Sequence, residues 1–274
     1  MALFVIFVGS LMVGLWNTGA LRARYLALAL PFVLSSLFFS EVKIALFLIP
    51  LAVVGMYGFD LIRRPVVSTA ILIGSGLLIG AIYLSYGTLF AENTAGTGGL
   101  ESGTKFSFDP GMIKANGEMG RYAALNYWWN HGGDSVGPMG YVLGNGLGSS
   151  NSDNPMELGV IARRVAPIHI AATGAVKLLW EAGVVGLAAY LIILLFVYVT
   201  CRALMKDSND AFIRGLLAGF AAMCAMSAMH IFYTKTVVGH TPHVYLLIVI
   251  LVGTTMLLKT QSGSRRMQRK RVRA

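Results

Sequence analysis

Long apolar runs separated by short polar segments dominate the chain. A helix that crosses a bilayer needs about 20 apolar residues, and the chain contains roughly seven runs near that length. The runs cover 2–19, 25–40, 44–62, 66–86, 175–205, 211–233 and 243–258. The pattern predicts an all-α polytopic membrane protein with about seven transmembrane helices.

One long segment interrupts the apolar runs. Residues 87–174 lack a run of spanning length and hold 17 of the 32 glycines. We therefore expect four transmembrane helices in 1–86, a large, partly helical external loop in 87–174, three helices in 175–258 and a basic tail in 259–274. The loop is the expected location of the active site.

The distribution of charge predicts the orientation of the chain. Charged residues make up 12% of the sequence, against about 25% in soluble domains, which excludes an ordinary soluble enzyme. The net charge is +10, and the tail 259–274 holds seven of the 22 Lys and Arg residues. Basic residues accumulate on short cytoplasmic segments, so the tail is predicted to be cytoplasmic and 87–174 periplasmic, in a cell inner membrane. Such a tail favours contact with anionic lipid over nucleic acid.

The start of the chain differs from a signal peptide. Met1 begins an apolar run at once, without a basic flank or a small-residue cleavage site. The odd number of spans and this start predict further helices upstream of Met1. Cys201 and Cys224 both lie in apolar runs, so neither a disulfide framework nor a cysteine metal site is expected.

The external loop carries an aromatic helix and a glycine-rich turn. Residues 112–130 are predicted to be helical, beginning near Asp109-Pro110, with Arg121, Leu125 and Trp128 on one face. Aromatic rings there suit the membrane–water interface, and they also stack on sugars; these rings are Tyr127, Trp128 and Trp129. Further along, alternating glycines permit a tight backbone turn close to a ligand; they are Gly144, Gly146 and Gly148.

Two arginines of the loop share an R-x10-G spacing. Arg121 precedes Gly132, and Arg163, with Arg164 beside it, precedes Gly174. A guanidinium binds phosphate through two parallel hydrogen bonds, so an outer-surface pair suits a lipid-linked pyrophosphate. A solvated or salt-bridged arginine is the alternative interpretation.

These motifs, in their order along the chain, resemble the Wzy-type polysaccharide polymerase and O-antigen ligase superfamily. The resemblance covers mainly residues 41–200. It rests on Ser40-Glu41-Val42-Lys43, on Gly120-Arg121 with Trp128 downstream, on Leu143-Gly144-Asn145-Gly146-Leu147-Gly148, and on Leu178-Leu179-Trp180-Glu181-Ala182-Gly183-Val184-Val185-Gly186.

The resemblance implies a metal-independent membrane glycosyltransferase without a cofactor. Its donor would be a glycan on a polyprenyl pyrophosphate such as undecaprenyl pyrophosphate, and its product an O-antigen, capsule or exopolysaccharide. Arg121 and Arg163 or Arg164 would bind the pyrophosphate, and His169 would be the base. The aromatic rings at 127–129 would hold sugar. Membrane lipid and a chain-length regulator are the implied partners.

The sequence departs from the ligase pattern at one place. Ligases carry a His-Asn pair about nine residues before the helix-entry glutamate, and here that register holds Ala172 and Thr173. The departure favours a polymerase over a ligase that attaches finished glycan to lipopolysaccharide. Glu181 is the alternative base, or else an ion-pair partner of Lys177. A polysaccharide transporter or flippase is a third alternative, disfavoured because the polar residues lie outside the predicted spans.

Overall fold

The computed structural model of the protein describes residues 2–39, 45–58, 105–152 and 158–234, with single positions between 69 and 80 and Gly253. The regular structure of this part is helical, with two isolated β-bridges and no strand. The predicted spans at 66–86 and 243–258 lie outside the described residues apart from those single positions, and the basic tail lies wholly outside them. The helices are α1 (Ala2–Asn17), α2 (Ala23–Phe39), α3 (Ala45–Tyr57), α4 (Arg121–His131), α5 (Met139–Leu143), α6 (Val160–Val165), α7 (Gly174–Asp207) and α8 (Ala211–His230).

Two of the described helices are long and apolar enough to cross a membrane, judged by length and composition. They are α7, with 34 residues, and α8, with 20. The apolar helices α1, α2 and α3 are shorter, with 16, 17 and 13 residues. The described part of the chain therefore shows a mostly helical protein with two candidate spans, and it does not confirm the predicted seven-helix architecture.

The chain divides into two compact units. The first, which we call the bundle unit, comprises Met1–Ile82, Ile193–Met229 and His243–Ala274. The second, which we call the loop unit, comprises Tyr83–Ile192 and His230–Pro242. The loop unit thus contains the predicted external loop together with the first half of α7.

Small residues let the helices of the bundle unit approach closely. A Cβ atom added to Gly14 of α1 would lie 2.6 Å from the carbonyl oxygen of Gly215 in α8. One added to Gly55 of α3 would lie 2.8 Å from Cα of Ala222, also in α8. Backbone contact through small residues is the usual packing of membrane helices, because apolar side chains gain little by leaving lipid.

The C-terminal end of α3 is capped by an arginine of α7. Arg202 donates from Nη1 to the carbonyl of Met56 at 2.8 Å and from Nη2 to that of Tyr57 at 2.9 Å. The last carbonyls of a helix have no partner within it, and a cation there also complements the helix dipole. Arg202 therefore holds α3 against α7 within the bundle unit.

The loop unit has its own apolar core. Trp128 of α4 and Trp180 of α7 belong to this core, and Leu125 packs against it. Leu125 and Trp128 therefore lie on one face of α4, as their spacing predicts. The prediction of a helix over 112–130 is wrong for its first part. Gly117 has a positive φ of 82°, residue 113 pairs with 119 in an antiparallel bridge, and α4 begins only at Arg121.

The predicted apolar span over 175–205 is interrupted. α7 runs from Gly174 to Asp207, but Gly183 has φ 63° and ψ −165°, which is not helical. No Lys, Arg, Asp or Glu lies between Glu181 and Arg202. The break thus separates a first segment, buried in the core of the loop unit, from the uncharged part of the helix.

Candidate functional site

The glycine-rich turn forms backbone hydrogen bonds with α7 at its break. At the break the carbonyls of Trp180 and Glu181 accept hydrogen bonds from outside the helix. The backbone N–H of Asn145 donates to the Trp180 carbonyl at 2.7 Å, and that of Gly146 donates to the Glu181 carbonyl at 3.1 Å. Because these two N–H groups are engaged, they are not available to bind a phosphate.

Two glycines make this contact sterically possible. Gly144 has φ 76° and ψ −171°, and like Gly183 it occupies a region that essentially only glycine adopts. A Cβ atom on Gly144 would lie 2.4 Å from the Glu181 carbonyl carbon, and one on Gly183 would lie 2.3 Å from the Val142 carbonyl oxygen. The two backbones are therefore in direct contact.

The rest of the turn leads to α6. Gly146 and Gly148 also have positive φ, but a Cβ atom on either would meet nothing within 4 Å. The carbonyl of Ser149 accepts from the backbone N–H groups of Ile161 and Ala162, at 3.0 and 3.2 Å. One turn thus joins the start of α6 to the break in α7.

Glu181 is buried beneath this turn. The hydroxyl of Ser150, which is fully buried, donates to Oε1 of Glu181 at 2.8 Å. Among the described residues, Lys177 and Glu181 do not form the ion pair that their spacing predicts. The break and the turn bring Ser150 to the carboxyl group instead.

Replacing Ser150 with alanine is expected to destabilise the loop unit by about 1–3 kcal/mol, because a buried carboxyl oxygen loses its donor. Ser152→Ala is the matched control, since the structure describes no hydrogen bond of its partly buried side chain. Unfolding in mixed detergent micelles, followed by tryptophan fluorescence, would compare the two variants. Equal stability of Ser150→Ala and the parent protein would contradict this role for the hydroxyl.

Arg121 is held at the start of α4 by three neighbours. Its Nε donates to the carbonyl of Tyr233 at 2.8 Å, and Nη1 donates to the hydroxyl of Ser107. Its guanidinium carbon lies 3.7 Å from the centre of the Tyr233 ring and 5.6 Å from that of Phe106. The half-buried cation is therefore fixed in position.

No acid neutralises Arg121 within the described residues, whose ion pairs involve other side chains. Gly120 is the N-cap of α4 and provides no side-chain cap, and the first turn contains no acidic residue. Free backbone N–H groups at a helix start attract anions, and the helix dipole adds to the attraction. Arg121 and this helix start together form a site suited to an anion.

The two R-x10-G segments differ in structure. The first extends over α4, from Arg121 at its first residue to Gly132 just after its end. The second extends from Arg163 in α6 to Gly174, the first residue of α7. The shared spacing therefore does not reflect a repeated structural unit.

Three further candidate residues are exposed. Arg163 donates from Nη2 to the Leu158 carbonyl at 3.1 Å, and Arg164 is exposed beside it. His169 is exposed, and its backbone N–H donates to the Gly117 carbonyl at 2.8 Å.

His169 also lies close to the start of α4. It forms a parallel bridge with Glu118, three residues before Arg121. Chain geometry then limits the Cα separation of His169 and Arg121 to at most about 16 Å. The structure thus brings the cation and the imidazole to one region of the loop unit.

The three aromatic candidates have different environments. Trp128 is buried in the core, whereas Trp129 is 71% exposed. Tyr127 is partly buried, with its ring centre 6.3 Å from that of Trp180. Burial, and secondarily the charge of Asp134, raise the pKa of Tyr127 above its usual value. Its phenol therefore remains a hydrogen-bond donor at neutral pH.

Sequence reasoning missed the partners that organise these side chains. Tyr233 is 112 positions away from Arg121 along the chain, and Ser150 is 31 positions from Glu181. No spacing signal in a single sequence connects residues so far apart. The glycine at 183 was visible in the helix-entry motif, and a glycine within an apolar run was the available sign of a break.

The described residues offer no metal site. In the part of the chain that the structure describes, no three His, Cys, Asp or Glu side chains are grouped so that they could hold a metal ion. Comparisons with protein-family models, with curated proteins and with solved structures found no match.

Proposed function

We propose that the protein is a polymerase of surface polysaccharide. It transfers a glycan from polyprenyl pyrophosphate to a growing lipid-linked chain at the outer face of the inner membrane. The observation that carries this proposal is Arg121, a fixed, half-buried cation without an acidic partner among the described residues, at an uncapped helix start. The resemblance of its sequence motifs to the polymerase and ligase superfamily supports the same reaction.

In the proposed reaction an acceptor hydroxyl attacks the anomeric carbon of the donor glycan. The new glycosidic bond forms as the bond between that carbon and the pyrophosphate oxygen breaks, and polyprenyl pyrophosphate leaves. Negative charge grows on the leaving oxygen, and Arg121 with the N–H groups of α4 stabilises it. The hydroxyl proton passes to a base.

His169 is the base that we favour over Glu181. A base must reach the proton that it accepts. His169 is exposed near Arg121, whereas Glu181 is buried and its carboxyl group accepts a hydrogen bond from the Ser150 hydroxyl. In this proposal Glu181 holds the turn in place, and Tyr127 is the aromatic ring that contacts the glycan.

The proposed topology places α7 and α8 in the membrane with the other predicted spans and the basic tail in the cytoplasm. Residues 184–207 alone extend about 36 Å as a helix, enough for a hydrocarbon core of about 30 Å. The break at Gly183 would then lie at the outer membrane surface. Transporters have broken helices near the midplane, so this position supports a surface enzyme over a transporter.

The test compares a strain lacking the gene with the same strain carrying it. Surface polysaccharide and lipid-linked glycan are separated by size. We expect single lipid-linked repeats without the gene and a long ladder with it. Long lipid-linked chains that persist without the gene, with only their attachment lost, would show a ligase. Repeats that remain on the cytoplasmic leaflet would show a flippase, and either result would overturn the polymerase proposal.

A further inference from the structure

The loop unit exposes an apolar surface where a soluble protein would carry charge. Residues 135–152 contain no Lys, Arg, Asp or Glu. Within this stretch the exposed fractions of five apolar side chains range from 47% at Val142 to 88% at Leu147. We call these five the apolar wedge; they are Val136, Met139, Val142, Leu143 and Leu147.

The wedge is rigidly attached at one place. Leu143 and Gly144 follow Val142, whose carbonyl oxygen would lie 2.3 Å from a Cβ atom at Gly183. Tyr141 donates its hydroxyl to the Trp129 carbonyl at 3.1 Å. Val142 and Leu143 of the wedge therefore stand on a backbone that contacts the break of α7.

This attachment makes the wedge continuous with a candidate membrane span. Directly after the break, Val184 and Val185 are about half exposed and begin the uncharged stretch of α7. The apolar surface of the wedge thus adjoins the surface that α7 would present to lipid. A hydrophobic area of this kind marks a contact with a membrane or a protein, and its continuity with a span favours the membrane.

An exposed tryptophan is hydrogen-bonded to the segment that carries the wedge. Trp129, whose carbonyl accepts a hydrogen bond from the Tyr141 hydroxyl, is 71% exposed. Indole rings concentrate at the level of the lipid headgroups, where their apolar body and polar N–H are both accommodated. The side chains next to it, Asn130, His131 and Asp134, are exposed and polar or charged. The composition changes from polar to apolar over a few residues, as an interface requires.

We infer that the apolar wedge is inserted into the outer leaflet of the bilayer, at the boundary between headgroups and acyl chains. The inference rests on the membrane placement of α7 in the proposed function and adds a second membrane contact. It fixes the loop unit at the depth where the pyrophosphate of a lipid-linked donor lies. The partner is the lipid of the leaflet, and a second copy of the chain is an outcome that the test separates.

The test measures membrane depth in the whole protein reconstituted into phosphatidylcholine vesicles. A cysteine at Leu147 (Leu147→Cys) is labelled with an environment-sensitive fluorophore, and Ala115→Cys, in an exposed turn of the same unit, is the matched control. Met139→Cys provides a second wedge position should Leu147→Cys fail to fold. Cys201 and Cys224 are buried, so they are retained, and unaltered protein serves as the labelling blank.

We expect quenching by lipid carrying a shallow nitroxide to be about threefold stronger at Leu147 than at Ala115, with weaker quenching by aqueous iodide. Strong iodide quenching at both positions would place the wedge in water and overturn the inference. Weak quenching at Leu147 by both agents would show protein cover, such as a second copy, and would also overturn it. Because no readout depends on glycan transfer, failure here is distinguishable from failure of the polymerase assay.

Discussion

Replacing Arg121 with alanine is expected to reduce polymer formation by about 10²–10³-fold, the usual effect of removing one group that stabilises developing negative charge. The guanidinium is already oriented by Tyr233 and Ser107, so it needs no rearrangement when the pyrophosphate leaves. The measurement is the ladder of lipid-linked glycan in the deletion strain, at equal protein level.

Two further variants separate charge from geometry. Arg121→Lys keeps the charge but loses the planar fork and the stacking on Tyr233, so we expect about a tenfold loss. Arg163→Ala removes an exposed arginine whose hydrogen bond is to the Leu158 carbonyl, and it should reduce polymer formation far less than Arg121→Ala. If Arg163→Ala were as damaging as Arg121→Ala, pyrophosphate binding would involve α6. If Arg121→Ala polymerised normally, the guanidinium would have no catalytic role.

The largest loss of stability is expected at the glycine contact. Gly144→Ala and Gly183→Ala should each destabilise the loop unit by about 3–5 kcal/mol, since each combines a backbone conformation reserved for glycine with a clash against backbone atoms. The clashing atoms belong to Glu181 and Val142 and cannot rotate away. Unfolding in mixed micelles, followed by tryptophan fluorescence, would measure both losses.

Gly146→Ala is the control for the close contact. Gly146 has φ 92°, yet a Cβ atom there meets nothing within 4 Å, so only the positive φ is penalised, by about 1–2 kcal/mol. Gly144→Ala and Gly183→Ala should therefore lose more free energy of unfolding than Gly146→Ala. The difference is the cost of the steric clash between the turn and the helix. Similar losses in all three variants would show that the backbones are not in contact.

Several local features were predictable because they depend on neighbouring residues. The apolar runs at 2–19, 25–40 and 211–233 correspond to α1, α2 and α8, since the period and length of a run indicate a helix directly. The spacing placed Leu125 and Trp128 on one helical face, as observed, but the burial of Trp128, which was expected to hold sugar, depends on tertiary packing. The predicted helix start near Asp109-Pro110 was wrong, because Gly117 turns the chain and α4 begins only at Arg121.

Local patterns in the sequence specify a helical, apolar chain with a glycine-rich, polar interruption, because hydrophobic periodicity and glycine content act within a few residues. Contacts between residues far apart in the chain account for three further features: α7 breaks at Gly183, Ser150 reaches Glu181, and Tyr233 holds Arg121. An apolar run containing a glycine is compatible with a continuous helix. The break forms because a distant turn supplies the N–H groups that satisfy the freed carbonyls, and that contact exists only after folding.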